Sequence, residues 1–533
     1  MLTAVPFGIL AVSMLLLPDA DAGLRAHYEA ARAAQQAGDV PKATAEYRAV
    51  VRLAPRMAEA HLNLGLMCYA SGAWDESTRE LEIAERIKPG LAGAHLYLGI
   101  DYAKLNQPAR AVPLLREAAA EEPARKEARS WLASALWAGG HQQEALIELE
   151  RAAGAFPGDV DMLFLLGEGY RKAAAAIIDG IVDAQTGSPL VHQILAETYA
   201  AQQNWSRSQR HYERLLQKAP DYPGAELGLV VALIAQDKRT EAESAYQRVA
   251  AAPASSAKEH AVAAMEALRA GRSDGVRNEL DLYIDSLPER SGTEDLAAWR
   301  LFAARDYTGA AAELGRNARR GGMGNYLLAR CYERLAVRAL DRMAQLSPGS
   351  YRVHQLMAQI AESREDTAKA LEEYRVVETM QPSLAGVHFA IGRLLWRAGH
   401  ADEALRELQH ELALNPNHVE ANAEIGTICV RRHEAAQGAP YLERAVKLQP
   451  DLLEAHKQLG KAYSMTGRNL DAERQLKMAL VGDRDGSVHY MLGMVYRVQG
   501  RAAEAARALE TARRIKAERL AEVMITDQEA VEQ

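Results

Sequence analysis

Cysteine is nearly absent. Cys68, Cys331 and Cys429 are the whole complement. They are far apart and odd in number, so neither a disulfide framework nor a CxxC metal or redox motif is available, and they read as small buried hydrophobes. Glycine (38) and proline (19) are sparse for 533 residues, and aromatics make up 6%. That excludes collagen-like, disordered and all-β chains. A basic excess is also missing. The net charge of −8 removes the footprint that a general nucleic-acid binder needs to neutralise phosphate. The one long apolar run, Ala4–Leu17, falls short of the roughly 20 residues of a membrane-spanning helix.

That run is followed by Pro18 and then Ala20-Asp21-Ala22 before Gly23, an A-x-A cleavage pattern. The Lys or Arg that usually precedes such a run is missing. Two readings follow: residues 1–22 are a secretory signal peptide, or they are an apolar cap on what comes next. No cysteine follows the run, so a lipoprotein anchor is excluded.

What the chain does have is alanine, leucine, glutamate and arginine, all strong helix formers. A chain this long exceeds one ordinary core, so it holds several domains or one repeating architecture. The columns favour repetition. Steps of 34 from Gly65 reach Ala31, Gly99, Ala133 and Gly167; further series are Ala196–Val230–Ala264–Ala298 and Ala358–Gly392–Gly426–Gly460. Twelve residues on comes a second small residue (Ala43, Ser77, Ala111, Ala145), and four beyond it a Tyr or Leu (Tyr47, Leu81, Leu115, Leu149). A proline closes most units, as at Pro55, Pro89, Pro123, Pro288, Pro382 and Pro450. Apolar residues at i, i+3/i+4 and i+7 give each segment one buried face, and small residues sit where two helices cross. Gly72, Gly140, Gly399 and Gly467 mark the turn inside the hairpin. One hairpin cannot cover its own apolar face, so neighbours must stack.

These columns, with "LYLGIDYAKLNQPARAVPLLREAAAEEP" (96–123) close to consensus, resemble the tetratricopeptide repeat (TPR) family over residues 24–518. The resemblance implies an all-α, right-handed α-solenoid of about fifteen helical hairpins. Two units are five residues short: Gly167 to Ala196 and Ala329 to Ala358. The loss falls between their helices, where no breaker interrupts 171–178 or 333–340. We therefore expect one continuous helix in each, roughly 163–184 and 326–346, unable to fold back on itself and offsetting the solenoid. Residues 163–235 also align without gaps on 325–397, pairing Tyr170 with Tyr332 and Tyr212 with Tyr374. Arg319-Arg320-Gly321-Gly322-Met323-Gly324 reads as a flexible joint. The chain thus divides into an N-terminal arm (24–188), a degenerate middle (189–322), a C-terminal arm (325–518), and a helix end with a disordered tail (519–533). The last helix is expected over Ala502–Val523, with disorder after Thr526.

Eight of the fifteen histidines share one column: His27, His61, His95, His192, His354, His388, His456 and His489. Residues 34 apart lie one helix pair apart, too far to share a metal, so they read as packing histidines. No GxSxG, GxxxxGK[ST] or HExxH motif occurs, and almost no chain lies outside the repeats. No catalytic residue, metal or cofactor is expected. In TPR proteins the first helix of each hairpin lines a concave groove. The groove columns of the N-terminal arm hold Leu62, Leu66, Leu96, Tyr97, Ile100, Trp131, Trp137 and Phe164, an apolar surface for an amphipathic peptide. Those of the C-terminal arm hold Phe389, Arg393, Trp396, Arg397, Arg431, Lys457, Lys461, Tyr490 and Arg497, which suit an acidic peptide or a carboxylate. Neither the chaperone carboxylate clamp nor the asparagine ladder of O-GlcNAc transferase is matched in these columns. The resemblance implies a non-enzymatic scaffold for protein or peptide ligands, in the periplasm if residues 1–22 are cleaved. A cytosolic adaptor, or a regulatory subunit of an enzyme or export complex, is the alternative.

Overall fold

The computed structural model describes residues 22–91, 93–222, 224–251, 256–270, 272, 295–317 and 321–531. The N-terminal run up to Asp21, the arginines of the Arg-Gly joint, Pro288 and much of the degenerate middle lie outside them. The described residues form 27 α-helices, one short 3-10 turn and no strand.

The described residues fall into two compact units, one drawn from residues 1–140, 354–362 and 366–533 and the other from 141–353 with 363–365. This grouping differs from the three linear segments expected. In the first unit the repeat is read directly from its hairpins: Ala58–Ala70 packs on Trp74–Ile87, Ala94–Lys104 on Pro108–Glu121, and Val419–Arg431 on Ala435–Leu448. Each second helix ends two residues before the column proline, as Ile87 before Pro89 and Leu448 before Pro450. The small-residue column is the crossing point. A Cβ on Gly65 would lie 2.7 Å from Leu81, and one on Gly99 equally close to Leu115. Any side chain there would wedge the hairpin open.

The hairpin turn carries one residue in the left-handed region. Gly72 (φ 74°) and Gly467 (φ 78°) take it at no steric cost. Asn106, Gln203, Asp237, Arg305, Glu365 and His433 do the same job without glycine, with φ between 56° and 65°. Those six turns had no glycine to announce them. The C-terminal core stacks Leu442, Leu459, Leu476 and Leu492 from successive helices. The last helix runs Ala502–Val531, rather than ending at Val523 before a disordered tail.

The second unit contains the two shortened repeats. Each is one unbroken helix, Val160–Ala184 and Gly322–Leu346, with no turn near Ala173 or Leu335. Having lost its turn, neither helix can cover its own small-residue column. Each takes its partner from the other. They lie antiparallel: Gln185 abuts Gly322, and Arg342 Nε donates to Pro157 O at 3.4 Å. A Cβ on Gly167 would sit 2.7 Å from Leu340, the contact that Gly65 makes with Leu81 inside one hairpin. At the middle, Tyr170 and Tyr332 stack with centroids 5.6 Å apart. These two are equivalent under the internal duplication, so its two-fold passes between them.

Both ends of this pair are tied by polar contacts. Tyr326 O–H donates to Glu197 Oε2 (2.8 Å), Gln193 Nε2 to Glu197 Oε1 (2.9 Å), and Tyr222 O–H to Gln193 Oε1 (2.8 Å). At the other end Arg352 Nε donates to Asp161 (2.7 Å) and its guanidinium covers Phe164, 4.7 Å from the ring centroid. Phe164 and Tyr326 are again duplication equivalents.

Candidate functional site

The histidine column is structural, and the structure shows how. Nδ1 meets a side chain 19 residues on: His27–Glu46 (2.7 Å), His61–Glu80 (2.6 Å), His354–Glu373 (2.7 Å), His388–Glu407 (2.8 Å) and His456–Gln475 (2.6 Å). The partner comes from the facing second helix, so each pair clips its hairpin shut. His192 meets His211 instead, Nδ1 to Nδ1 at 3.3 Å. Burial pushes the His211 ring down to about 4. The recurrent Glu at +19 was visible in the sequence and is the signal that would have found these pairs.

The apolar stripe of the N-terminal arm requires a correction. Leu62, Leu96, Tyr97, Ile100 and Phe164 are each under 9% exposed; Leu66, Trp131 and Trp137 are half-buried. Successive first helices pack on one another, Ala58–Ala70 on Ala94–Lys104 and that on Lys126–Ala138. That packing goes with the burial of Leu62, Leu96, Tyr97 and Ile100, while Arg352 covers Phe164. Tyr69 and Tyr97 meet edge to face (5.1 Å), Arg125 covers Tyr97 (5.7 Å), and Lys104 Nζ lies 5.2 Å from the rings of both Trp74 and Trp131. Among the described residues these side chains form core rather than the floor of an open apolar groove.

One polar group that the columns do not mark lies inside that core. Asp101 is 0% exposed. The Ser77 hydroxyl stands beside it, but that proton goes to Gly65 O at 2.9 Å, leaving both Asp101 oxygens without a partner. Burial pushes its carboxyl up to about 8, a rise that the neighbouring Ser77 hydroxyl and then the Lys104 charge oppose without cancelling. Asp101 is therefore a neutral acid at pH 7.

The basic–aromatic stripe stays accessible. Arg397, Arg431, Lys461, Tyr490 and Arg497 are exposed; Phe389, Arg393, Trp396 and Lys457 are half-buried. The first helices Val387–Arg397, Val419–Arg431, Leu453–Met465 and Ser487–Val498 present them in turn. Arg431 lies over Trp396 (5.6 Å), and Arg393 lies over Phe389 (5.8 Å) while pairing with Glu362. Lys457 leans on Glu454 at 3.6 Å. Burial raises the Glu424 carboxyl despite Arg393 and Arg431 nearby. Arg397, Lys461 and Arg497 form no ion pair among the described residues. The stripe ends in a cleft of about 940 Å³ between the last two helices, lined by Tyr490, Met494, Arg497, Leu509, Arg513 and Lys516 among others. An apolar floor with a cationic rim suits a carboxylate-bearing chain with an apolar side chain. Sequence columns found the first-helix half of this cleft and missed Arg513 and Lys516, which the last helix contributes.

No helix among the described residues is long and apolar enough to cross a membrane. The stacked helix–turn–helix units define an α-helical repeat protein. More narrowly, the tetratricopeptide repeat profile matches residues 28–92, 96–160, 195–258, 389–452 and 486–511, and the chain belongs to that family. Similar solved structures include MamA 41-end from Desulfovibrio magneticus RS-1 (19% identity, 32% of this chain and 96% of that one, TM-score 0.30). Another is described as the crystal structure of MamA protein (18% identity, 32% and 93% coverage, TM-score 0.30). Among curated proteins nothing matches significantly.

Proposed function

We propose that this TPR protein is a non-catalytic scaffold that binds acidic, extended segments of protein partners along the basic–aromatic face of its C-terminal hairpins, and that it works in the cell envelope after losing residues 1–22. The observation that carries the binding reading is the trio Arg397, Lys461 and Arg497: exposed, with no ion pair among the described residues, on first helices of one stack. A solvated guanidinium beside an aromatic face offers a carboxylate a bidentate partner, while the ring supplies apolar contact. The apolar stripe is largely buried, whereas this face keeps its cations exposed.

The binding test is fluorescence anisotropy of a labelled glutamate-rich peptide against the full chain at low salt. The double variant Arg397→Glu with Arg497→Glu is expected to weaken binding at least about tenfold, and added salt should weaken the parent. Equal affinity of parent and variant, with the fold intact by circular dichroism, refutes the assignment. The envelope reading rests on the apolar run and its A-x-A pattern. Sequencing the mature N-terminus decides it: a chain starting at Gly23 supports export, and a retained Met1 supports the cytosolic adaptor.

A further inference from the structure

One histidine–glutamate pair differs from its siblings. In the helix Ala401–Leu414, Glu407 is followed three residues later by His410. Positions i and i+3 share a helix face, so His410 stands beside Glu407 on the side that faces His388 of the helix Val387–Arg397. Three residues after the other paired glutamates stand Ala49, Ile83 and Val376, which offer no ligand. We propose that His388, Glu407 and His410, joined by Glu378, form a binding site for a divalent transition metal of the zinc class.

The geometry is close to a ligand set. One donor atom from each of His388, Glu407 and His410 lies within 4.8 Å of the other two. Glu407 Oε2 is 2.8 Å and Glu378 Oε1 3.6 Å from His388 Nδ1. The His388 and His410 rings stand nearly perpendicular, 83° apart, with centroids at 5.3 Å. Ligands at about 2.0–2.2 Å from a tetrahedral ion sit roughly 3.3–3.5 Å from one another. The set therefore has to close by little more than 1 Å. His410 is exposed, so its side chain is free to make that movement and the ion can enter from solvent.

A second shell is already in place. Arg375 Nη1 donates to Glu407 Oε1 (2.6 Å) and to Glu378 Oε2 (2.9 Å). It holds the outer oxygen of each carboxylate and leaves the inner ones facing His388. His388 Nε2 lies 3.4 Å from Pro382 O, the orientation in which a ligating imidazole donates its far N–H to a carbonyl. Arg375 also sets the charge. Two carboxylates and one guanidinium leave a net −1 for a dication, enough to attract it but less than a bare acidic cluster would have. Two imidazoles with carboxylates select Zn²⁺, Co²⁺, Ni²⁺ or Cu²⁺ over the oxygen-seeking Ca²⁺ and Mg²⁺.

The test uses full-length, tag-free protein stripped with chelator and titrated with ZnCl₂ against a chromophoric competitor. One equivalent should bind more tightly than any remainder. His410→Ala, at an exposed position, should fold normally and weaken that equivalent at least about tenfold. His354→Ala removes a pair of the same kind that has no third ligand, and should leave the titration unchanged. Co²⁺ in place of Zn²⁺ should give an absorption band that is lost in His410→Ala. Equal zinc affinity of His410→Ala and parent, an equal loss in His354→Ala, or no saturable equivalent overturns the proposal.

Discussion

Asp101 offers a quantitative test of the core. Its carboxyl is fully buried, accepts no closed hydrogen bond and is raised from 3.8 to about 8. In the unfolded chain it returns to about 3.9. Between these values the folded state holds a proton that the unfolded state has released, so stability falls as pH rises, by about 1.4 kcal/mol per pH unit. From pH 5 to pH 7 that amounts to roughly 2.7 kcal/mol, and the slope flattens above about pH 8. Asp101→Asn keeps the shape and removes the titration. Its advantage over the parent should therefore be small near pH 4 and grow by roughly 2–3 kcal/mol between pH 5 and 7. A repeat array opens locally, so the readout is native-state hydrogen exchange of the helix Ala94–Lys104, corrected for intrinsic rates, rather than a global melting curve. A difference between variant and parent that stays constant with pH would refute the argument that Asp101 is buried neutral.

Two further outcomes follow from the same reasoning. Phe164→Ala, beneath Arg352 at one end of the fused-helix pair, should cost about 3–5 kcal/mol in denaturant unfolding; a solvent-facing groove residue would cost well under 1 kcal/mol. Gln203→Gly relieves an exposed left-handed turn residue at φ 59° and should stabilise by up to about 1 kcal/mol, seen as a higher melting temperature.

Much of this architecture was legible because a repeat writes its contacts at fixed spacing. Gly65 against Leu81 and Gly99 against Leu115 are local in sequence, and the columns reported them. The fused helices were legible from an absence, since nothing between Tyr170 and Ile178 breaks a helix. Their pairing was not, because Gly167 and Leu340 meet through tertiary packing that no period encodes. The apolar stripe misled for a related reason. Periodicity says which way Leu96 and Ile100 point, but not whether the neighbouring first helix comes close enough to cover them. The accessible cations were found because a charged residue at such a position resists burial. Asp101 left no trace, as a single aspartate in a helix carries no pattern. His410 was missed because the 34-residue columns carry no mark of the i, i+3 pair it makes with Glu407.

The paired fused helices impose a delay on synthesis. An ordinary hairpin finds its second helix within seconds of its first, since the two are neighbours in the chain. The helix Val160–Ala184 cannot do so: its contact between Pro157 and Arg342 spans 185 residues. At about 5–20 residues per second of translation, the apolar face around Gly167 waits on the order of 10–40 s for Leu340 to leave the ribosome. Throughout that interval the nascent chain carries an uncovered half of a symmetric interface. A second nascent copy on the same message would present its match.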